Sequence, residues 1–323
     1  MNSLSSAKQV RYNIEPKVSV VIPTFNGANR ISNLLHSLSQ QTYKNFEVIV
    51  VSDGSTDGVL AVIESWKDKL PISIKSQGNK GRAATRNAGA LLAQNELLLF
   101  MDDDMRPLPN CIEEHLAHHA QYSGSILTGG VSEEVTAQHN EFLSYKSYLS
   151  NKWLSDFKND SSKKLDEHRL FLTGQNVSMM RELFYEVGCF NDALRDAEDY
   201  EFAVRAHKKN IPLYFRNSAF AWHDGISNTL NYIKRQREYT AAHDMLRKIH
   251  TDWISEKFID KKYEPKGIKA LIFKLFCHIH WIKAIDKNRL KWLPYKLRYR
   301  LYDIIITANG VFYPSLVSLQ TAT

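Results

Sequence analysis

The 323-residue sequence predicts an α/β fold, a doubly wound and mostly parallel sheet covered on both faces by helices, followed by a basic helical extension. Three observations predict it. Short β-branched and apolar runs alternate four times with segments of helical periodicity. Polar turn residues fall after the strands, where such sheets hold their ligands. Beyond Gly225 the chain reads as helical and cationic.

Val18 to Ile22 is a buried strand ended by Pro23. Ile31, Leu34, Leu35 and Leu38 then stand at i, i+3, i+4 and i+7, one apolar stripe that can pack on a sheet. The unit repeats. Phe46 to Val51 is the second strand, Asp53-Gly-Ser-Thr-Asp57 the turn, and Val59, Val62, Ile63 and Trp66 the stripe. Ile72 to Lys75 is a third strand and Arg82 to Ala93 an alanine-rich helix. Leu97 to Met101 is a strand that runs straight into Asp102, Asp103 and Asp104. After Thr128-Gly-Gly130 the periodicity fades into a long polar excursion that ends near Leu170. It returns with a strand over 171–180, a helix from Arg181, an acidic turn from Asp196 to Glu201, a helix to about Lys209, and a strand before His223.

Composition is that of a folded globular chain, 43% hydrophobic and 24% charged, without low-complexity tracts. Cys111, Cys189 and Cys277 are far apart and lack CxxC spacing, which disfavours a disulfide framework or a zinc knuckle and fits a reducing compartment. Met1 to Tyr12 is polar, without the apolar core of a secretory leader, so 1–16 is expected to be a flexible segment of a cytoplasmic chain. The net charge of +7 is uneven: from Ile226 onward 18 Lys and Arg face 8 Asp and Glu, an excess of +10, while the rest carries 24 against 27. Phe273, Phe276, Trp281, Trp292, Tyr295 and Tyr299 interleave with these cations. That mixture suits an anionic membrane surface better than nucleic acid, and no nucleic-acid partner is expected. Lys269, Lys274 and Lys283 interrupt the apolar residues of 268–285, so the expected placement is peripheral, on the inner face of the cell membrane.

Three carboxylates in a row, Asp102 to Asp104, repel one another unless a cation neutralises them, and such hard oxygens suit Mg2+ or Mn2+ bridged to a diphosphate. A solvated acidic loop is the alternative, but the run sits at the carboxyl end of a buried strand. Asp53 ends the second strand, where a carboxylate can accept a hydrogen bond from a ribose hydroxyl or a base N–H. Asp57 reads as a helix N-cap, and the turn at Pro23 and Thr24 can shape a pocket floor. Lys80 and Arg86 bring cations to the front of a helix, which fits a diphosphate. The absence of GxxxxGK[ST] and of GxGxxG removes the main support for an ATPase or a dinucleotide-dependent dehydrogenase. Glu198, Asp199 and Glu201 open a helix, where the dipole favours carboxylates and where a fixed carboxylate can also act as a general base. His223 is either a third metal ligand or a structural histidine.

Together, VSVVIPTFN, VIVVSDGSTD, GNKGRAATRNAG, LLFMDDD, TGQN and AEDYEFAVR, in this order, resemble the family 2 glycosyltransferases of the GT-A fold from about Lys17 to His223. The resemblance implies a Rossmann-like mixed sheet and inverting transfer of a sugar from a nucleotide diphosphate sugar, a UDP-sugar, to an acceptor hydroxyl, with Mn2+ or Mg2+ as cofactor. It implies that Pro23, Thr24 and Asp53 meet the nucleoside and that Lys80 and Arg86 lie near the donor. Asp102 and Asp104 become the DxD motif, Asp104 the metal ligand and Asp102 a further candidate, with Asp103 also on the donor side. Gly174, Gln175, Asn176 and Glu198 fall on the acceptor side, Asp199 becomes the catalytic base, and His223 falls at a metal-ligating position. Ala197 and Glu201 stand where the family often has Gly and Asp.

The expected organisation is a catalytic domain over 17–225, with a donor half (17–130) and an acceptor half (131–225), and a basic helical region over 226–323. The expected acceptor is a carbohydrate or lipid-linked carbohydrate of bacterial surface polysaccharide or glycoconjugate synthesis. Two other readings stay open. In one the acceptor is a polyprenyl phosphate, already an anion, and Asp199 matters less. In the other the chain is a sugar-nucleotide-binding scaffold whose catalysis has lapsed, against which the intact Asp102, Asp104 and Asp199 argue.

Overall fold

The computed structural model describes residues 17–135, 141–157, 161–225, 228–256, 258 and 264–315; the segment 1–16 and parts of 131–170 and 226–323 lie outside them. β1 (Val18–Thr24), β2 (Phe46–Asp53), β3 (Ile72–Gln77) and β4 (Leu97–Met101) pair in parallel in the order β3-β2-β1-β4. The helices α1 (Ile31–Ser39), α2 (Val59–Glu64) and α3 (Arg82–Leu92) make the crossovers. Ile31, Leu34, Leu35 and Leu38 of α1 share one core with Val18, Val20 and Ile22. α3 covers the opposite face, where a Cβ on Gly89 would stand 2.3 Å from Val21 Cγ1, so only glycine permits this approach. Both faces of the parallel half are therefore covered. β1 runs past Pro23 to Thr24, because its ladder with β4 stops at Val21 and a missing N–H beyond that point breaks no bond on that side.

β5 (Met105–Pro107), α4 (Cys111–Gln121), β6 (Ile126–Ser132), α5 (Glu141–Leu154) and β7 (Lys163–Lys164) follow. Next come β8 (Asn176–Met180), α6 (Arg181–Val187), α7 (Glu198–Lys208) and β9 (Leu213–His223). The sheet continues β4-β8-β6-β9-β5, with β7 on β9, and β8 runs antiparallel to both β4 and β6. The sheet is thus mixed. The strand expected over 171–180 is shorter, since 171–175 leave the sheet before β8 begins.

The chain divides into two compact units. Unit 1 takes in the described residues through Val131 together with Phe157–Asp192 and Phe202–Trp222; unit 2 takes in Ser132–Asp156, Ala193–Glu201 and the chain from His223 onward. This division differs from the expected boundary at 225 in grouping two earlier segments with the C-terminal helices. In unit 1 a ring cluster of Phe100, Phe184, Phe190 and Phe202 fills one side of the sheet, with neighbouring centroids 5.0–5.6 Å apart. α4 buries three histidines, two of them against β8. His115 bonds Ser178 Oγ (2.7 Å) and Asn176 Oδ1 (2.9 Å), His119 bonds Ser178 Oγ (2.8 Å), and His118 bonds Ser125 and Ser162.

Unit 2 holds α5, α8 (Thr229–Ile249), α9 (Asp252–Ser255), α10 (Gly267–Phe276), α11 (Ile279–Asp286) and α12 (Tyr295–Thr307). Its core gathers Phe142, Tyr145, Ile233, Ile282, Tyr302 and Ile305. Arg298 and Glu141, both largely buried, pair at 2.6 Å, and Tyr145 donates its hydroxyl to Asp303.

Candidate active site

In unit 1 the parallel strands end on one rim, and the three aspartates after β4 each have their own surroundings there. Asp103 is buried, accepts from Thr24 Oγ1 at 2.5 Å, and pairs with Arg30 Nε at 2.7 Å. Burial pushes its carboxyl up, against the hydrogen bonds from Arg30 and Thr24. A Cβ on Gly27 would lie 2.2 Å from Asp103 Oδ2 and 2.5 Å from Thr24 Oγ1, so this glycine lets the first turn close over the pair. Asp103 and Thr24 thus lock the ends of β1 and β4 together. Asp104 is half-buried beyond them.

Asp102 accepts from Arg86 Nη2 at 2.6 Å, with the arginine side chain only 3% exposed. Three features fix that guanidinium. Asn87 exchanges two hydrogen bonds with the backbone of Phe190, whose ring stands 5.9 Å from Arg86 Cζ. Gly174 lies against it so closely that a Cβ would fall 2.7 Å from Cζ. Antiparallel pairing of Met101 with Asn176 brings the Gly174 segment to this rim, and Asp102 N–H donates to Gln175 O. Asn176 is fully buried, its amide engaged with His115 and the carbonyl of Ala219, so it holds the rim from behind. Arg86→Ala is expected to cost about 2–4 kcal/mol in a denaturant melt, since it strands a partly buried anion, and to lower donor affinity; Arg86→Lys should recover part of the stability.

Asp53 Oδ1 accepts from Lys80 N and Gln77 Nε2 (both 2.9 Å), and Oδ2 accepts from Gly81 N (2.8 Å). The carboxylate thereby hooks the start of α3 onto the end of β2 and presents the exposed Lys80. Asp57 lies one residue before the α2 cap, Gly58, and accepts from Val59 N and Ala28 N, so it braces two turns rather than serving as the cap itself. Pro23 is half-buried at the end of β1.

Unit 2 carries the acidic turn. Ala197 has φ +58°, a left-handed conformation that explains glycine in the usual family pattern. Ala197→Gly is expected to stabilise by about 1 kcal/mol, the steric relief exceeding glycine's entropy cost; an unchanged or lower melting temperature would contradict this. Glu198 is buried and Asp199 half-buried at the first turn of α7, where Asp199 Oδ1 accepts from Tyr200 N at 2.8 Å. Asp196 pairs with Arg235 of α8, and Glu201 stands 3.4 Å from His250. Tyr239 of α8 is pushed up to about 12 by burial and by the nearby charges of Asp199 and Asp196. His223 Nδ1 lies 3.7 Å from Glu133, which also pairs with Lys146 at 2.7 Å and accepts from Ser150. Burial would raise Glu133, but His223 and Lys146 hold it well below the usual carboxylate range.

Arg30, Glu133 and Tyr239 are residues that sequence reasoning missed. Arg30 directly precedes the first helical stripe and was legible as a cation near the strand ends, whereas Glu133 lies where periodicity fades. Among the described residues no three His, Cys, Asp or Glu side chains converge to hold a metal by themselves. Asp102 and Asp104 still offer the hard oxygens that Mg2+ and Mn2+ prefer, and such ions commonly take one or two carboxylates and complete their shell with substrate phosphates and water. The donor set fits a divalent cation held jointly with a diphosphate.

The family model for glycosyl transferase family 2 matches residues 19–188. An uncharacterized glycosyltransferase of Haemophilus influenzae (strain ATCC 51907 / DSM 11121 / KW20 / Rd) is 28% identical over 312 residues, covering 84% of this chain and 99% of that protein. Other curated relatives are matched over only 33–64% of their length. S. aureus TarS 1-349 in complex with UDP-GlcNAc is similar in fold, with a TM-score of 0.52 at 18% identity over 90% of each chain. So is the mannosyltransferase PcManGT from Pyrobaculum calidifontis in complex with GDP-Man and Mn2+, at 0.57 and 17% over 92% of this chain and 86% of that one. A family model that covers more than half of the sequence, on a mixed α/β sheet shared with these neighbours, places the chain in glycosyl transferase family 2, as a glycosyltransferase of the GT-A fold.

Proposed function

We propose that the protein transfers a sugar from a UDP-sugar to an acceptor hydroxyl in a single inverting displacement, using Mn2+ or Mg2+. The observation that carries this reading is the rim itself. β4 delivers three carboxylates to one edge, and the fold commits Asp102 to Arg86 and Asp103 to Thr24 and Arg30. Lys80 and Arg86 set positive charge around a diphosphate, and Asp53 fixes the turn that meets the nucleoside. A divalent cation bound by Asp104, with Asp102 and His223 as further candidate ligands, would neutralise charge on the departing nucleotide diphosphate.

Asp199 takes the acceptor proton while the acceptor oxygen attacks the anomeric carbon, and the diphosphate leaves with the bonding electrons. Its place at the first turn of α7 gives a carboxylate held by a rigid element. Glu198, Gly174 and Gln175 serve the acceptor side. The UDP-GlcNAc, GDP-Man and Mn2+ of the two similar structures support the donor class and the cation. The acceptor is a carbohydrate or lipid-linked carbohydrate of a surface polysaccharide or glycoconjugate, met by a cytoplasmic enzyme at the inner face of the cell membrane.

The test is release of nucleoside diphosphate from a panel of nucleotide sugars with Mn2+, Mg2+ or EDTA. Turnover of a UDP-sugar that needs the cation is the expected result. A folded chain that neither binds nor turns over any donor overturns the reading, and binding without turnover directs the assay to acceptors.

A further inference from the structure

α10 is apolar on both of its faces. Its inner face seats Phe273 against Phe312, with ring centroids 4.7 Å apart, and joins Ala308 and Tyr313 in a small core within unit 2. Its outer face carries Ile268, Leu271, Ile272 and Leu275, which are 77%, 68%, 41% and 66% exposed. These positions stand at i, i+3, i+4 and i+7, a continuous stripe along the helix. A contiguous apolar stripe facing water is costly and marks an interaction surface.

Charge selects the occupant. From Lys266 to Arg300 the chain has ten Lys and Arg and one acidic residue, Asp286, whose carboxylate accepts a hydrogen bond from Thr229 N at 2.7 Å. All of these cations but Arg298 are exposed, including Lys266, Lys269 and Lys274 on α10 and at its start. A second copy of the chain would set like charges against one another. A sheet of lipid phosphates would neutralise them while its acyl boundary covers the stripe. No described helix is long and apolar enough to cross a membrane, so the geometry is that of a helix lying along a surface.

We propose that the outer stripe of α10 seats in the headgroup region of an anionic bilayer, with the surrounding lysines on lipid phosphates. This deepens the peripheral placement given under the proposed function, yet it rests on unit 2 alone, so lipid binding and donor turnover can fail separately.

The experiment is co-sedimentation of the full chain with vesicles of phosphatidylglycerol and phosphatidylcholine, against phosphatidylcholine alone, at low and high salt. Wild type is expected to bind only the anionic vesicles, and more weakly as salt screens the lysines. Leu271→Glu combined with Leu275→Glu should weaken binding by at least about tenfold, because it sets carboxylates into the apolar seat. Leu91→Glu, at a position 72% exposed on α3, should leave binding unchanged. Thermal melts and nucleotide release in solution verify that the double variant is folded. Absence of wild-type binding to anionic vesicles, or undiminished binding by the folded double variant, overturns the proposal. So does a dimer by light scattering that the same double variant dissolves.

Discussion

Asp199→Asn is expected to lower kcat for transfer by about 10²–10⁴-fold while leaving the donor KM nearly unchanged. Asparagine keeps the shape of the side chain and can still accept from Tyr200 N–H, as Asp199 does at 2.8 Å. What it loses is the ability to take a proton. Donor binding, which the proposal places at the strand ends of unit 1, should persist. Asp104→Ala should instead raise the metal concentration required for turnover and lower donor affinity, because it removes the proposed hard oxygen ligand. Steady-state kinetics over a metal titration separate the two. Full activity of Asp199→Asn would move the acceptor to one that is already an anion, such as a polyprenyl phosphate.

Acid should unfold unit 1 through its buried histidines. Burial holds His115 down at about 4 and His118 at about 3, the latter also repelled by His115, and it drives His119 well below the ordinary 6.5. Above pH 6.5 the rings are neutral in both the folded and the unfolded chain, so the stability is fully present. Below it the unfolded chain takes up protons that the folded chain refuses, and stability falls until the folded values are reached. Each ring contributes at most about 1.4 kcal/mol per pH unit in that window, so the three together cost up to about 4 kcal/mol per unit. That is a large part of a domain's margin. Circular-dichroism melts at successive pH values should show a steep fall between about pH 6.5 and 4. His118→Gln, which can keep one serine bond, should flatten the slope. A melting temperature that does not move over this range would show that these rings accept protons without unfolding.

The parallel half was legible because buried strands such as Val18–Ile22 and Leu97–Met101 are unbroken apolar runs and α1 shows its whole apolar stripe. α4 was not. Three of its buried positions are His115, His118 and His119, which read as polar until their partners Ser178, Asn176, Ser125 and Ser162 are known. α5 hides for a related reason: its buried Glu141 is matched by Arg298, a partner 157 positions away that no local window can reveal. Motif order singled out Asp102, Asp104 and Arg86 as candidate site residues. Their division of labour was invisible in sequence, since Asp103 looks like its neighbours until Thr24 and Arg30 are folded against it. The left-handed Ala197 was foreshadowed only by the glycine usual at that place.

The reversal of strand direction between β4 and β8 brings Asp102 and Gln175 to the same rim although more than seventy residues of chain separate them. Sheet register fixes that junction, and β6 and the α4 histidines of the intervening chain pack on β8 to hold it. Sequence inserted or exchanged after β6 and ahead of β8 is spliced beside the proposed donor rim rather than through it. Under the proposed function, lineages could diversify what receives the sugar while inheriting, unaltered, the edge that would hold the nucleotide.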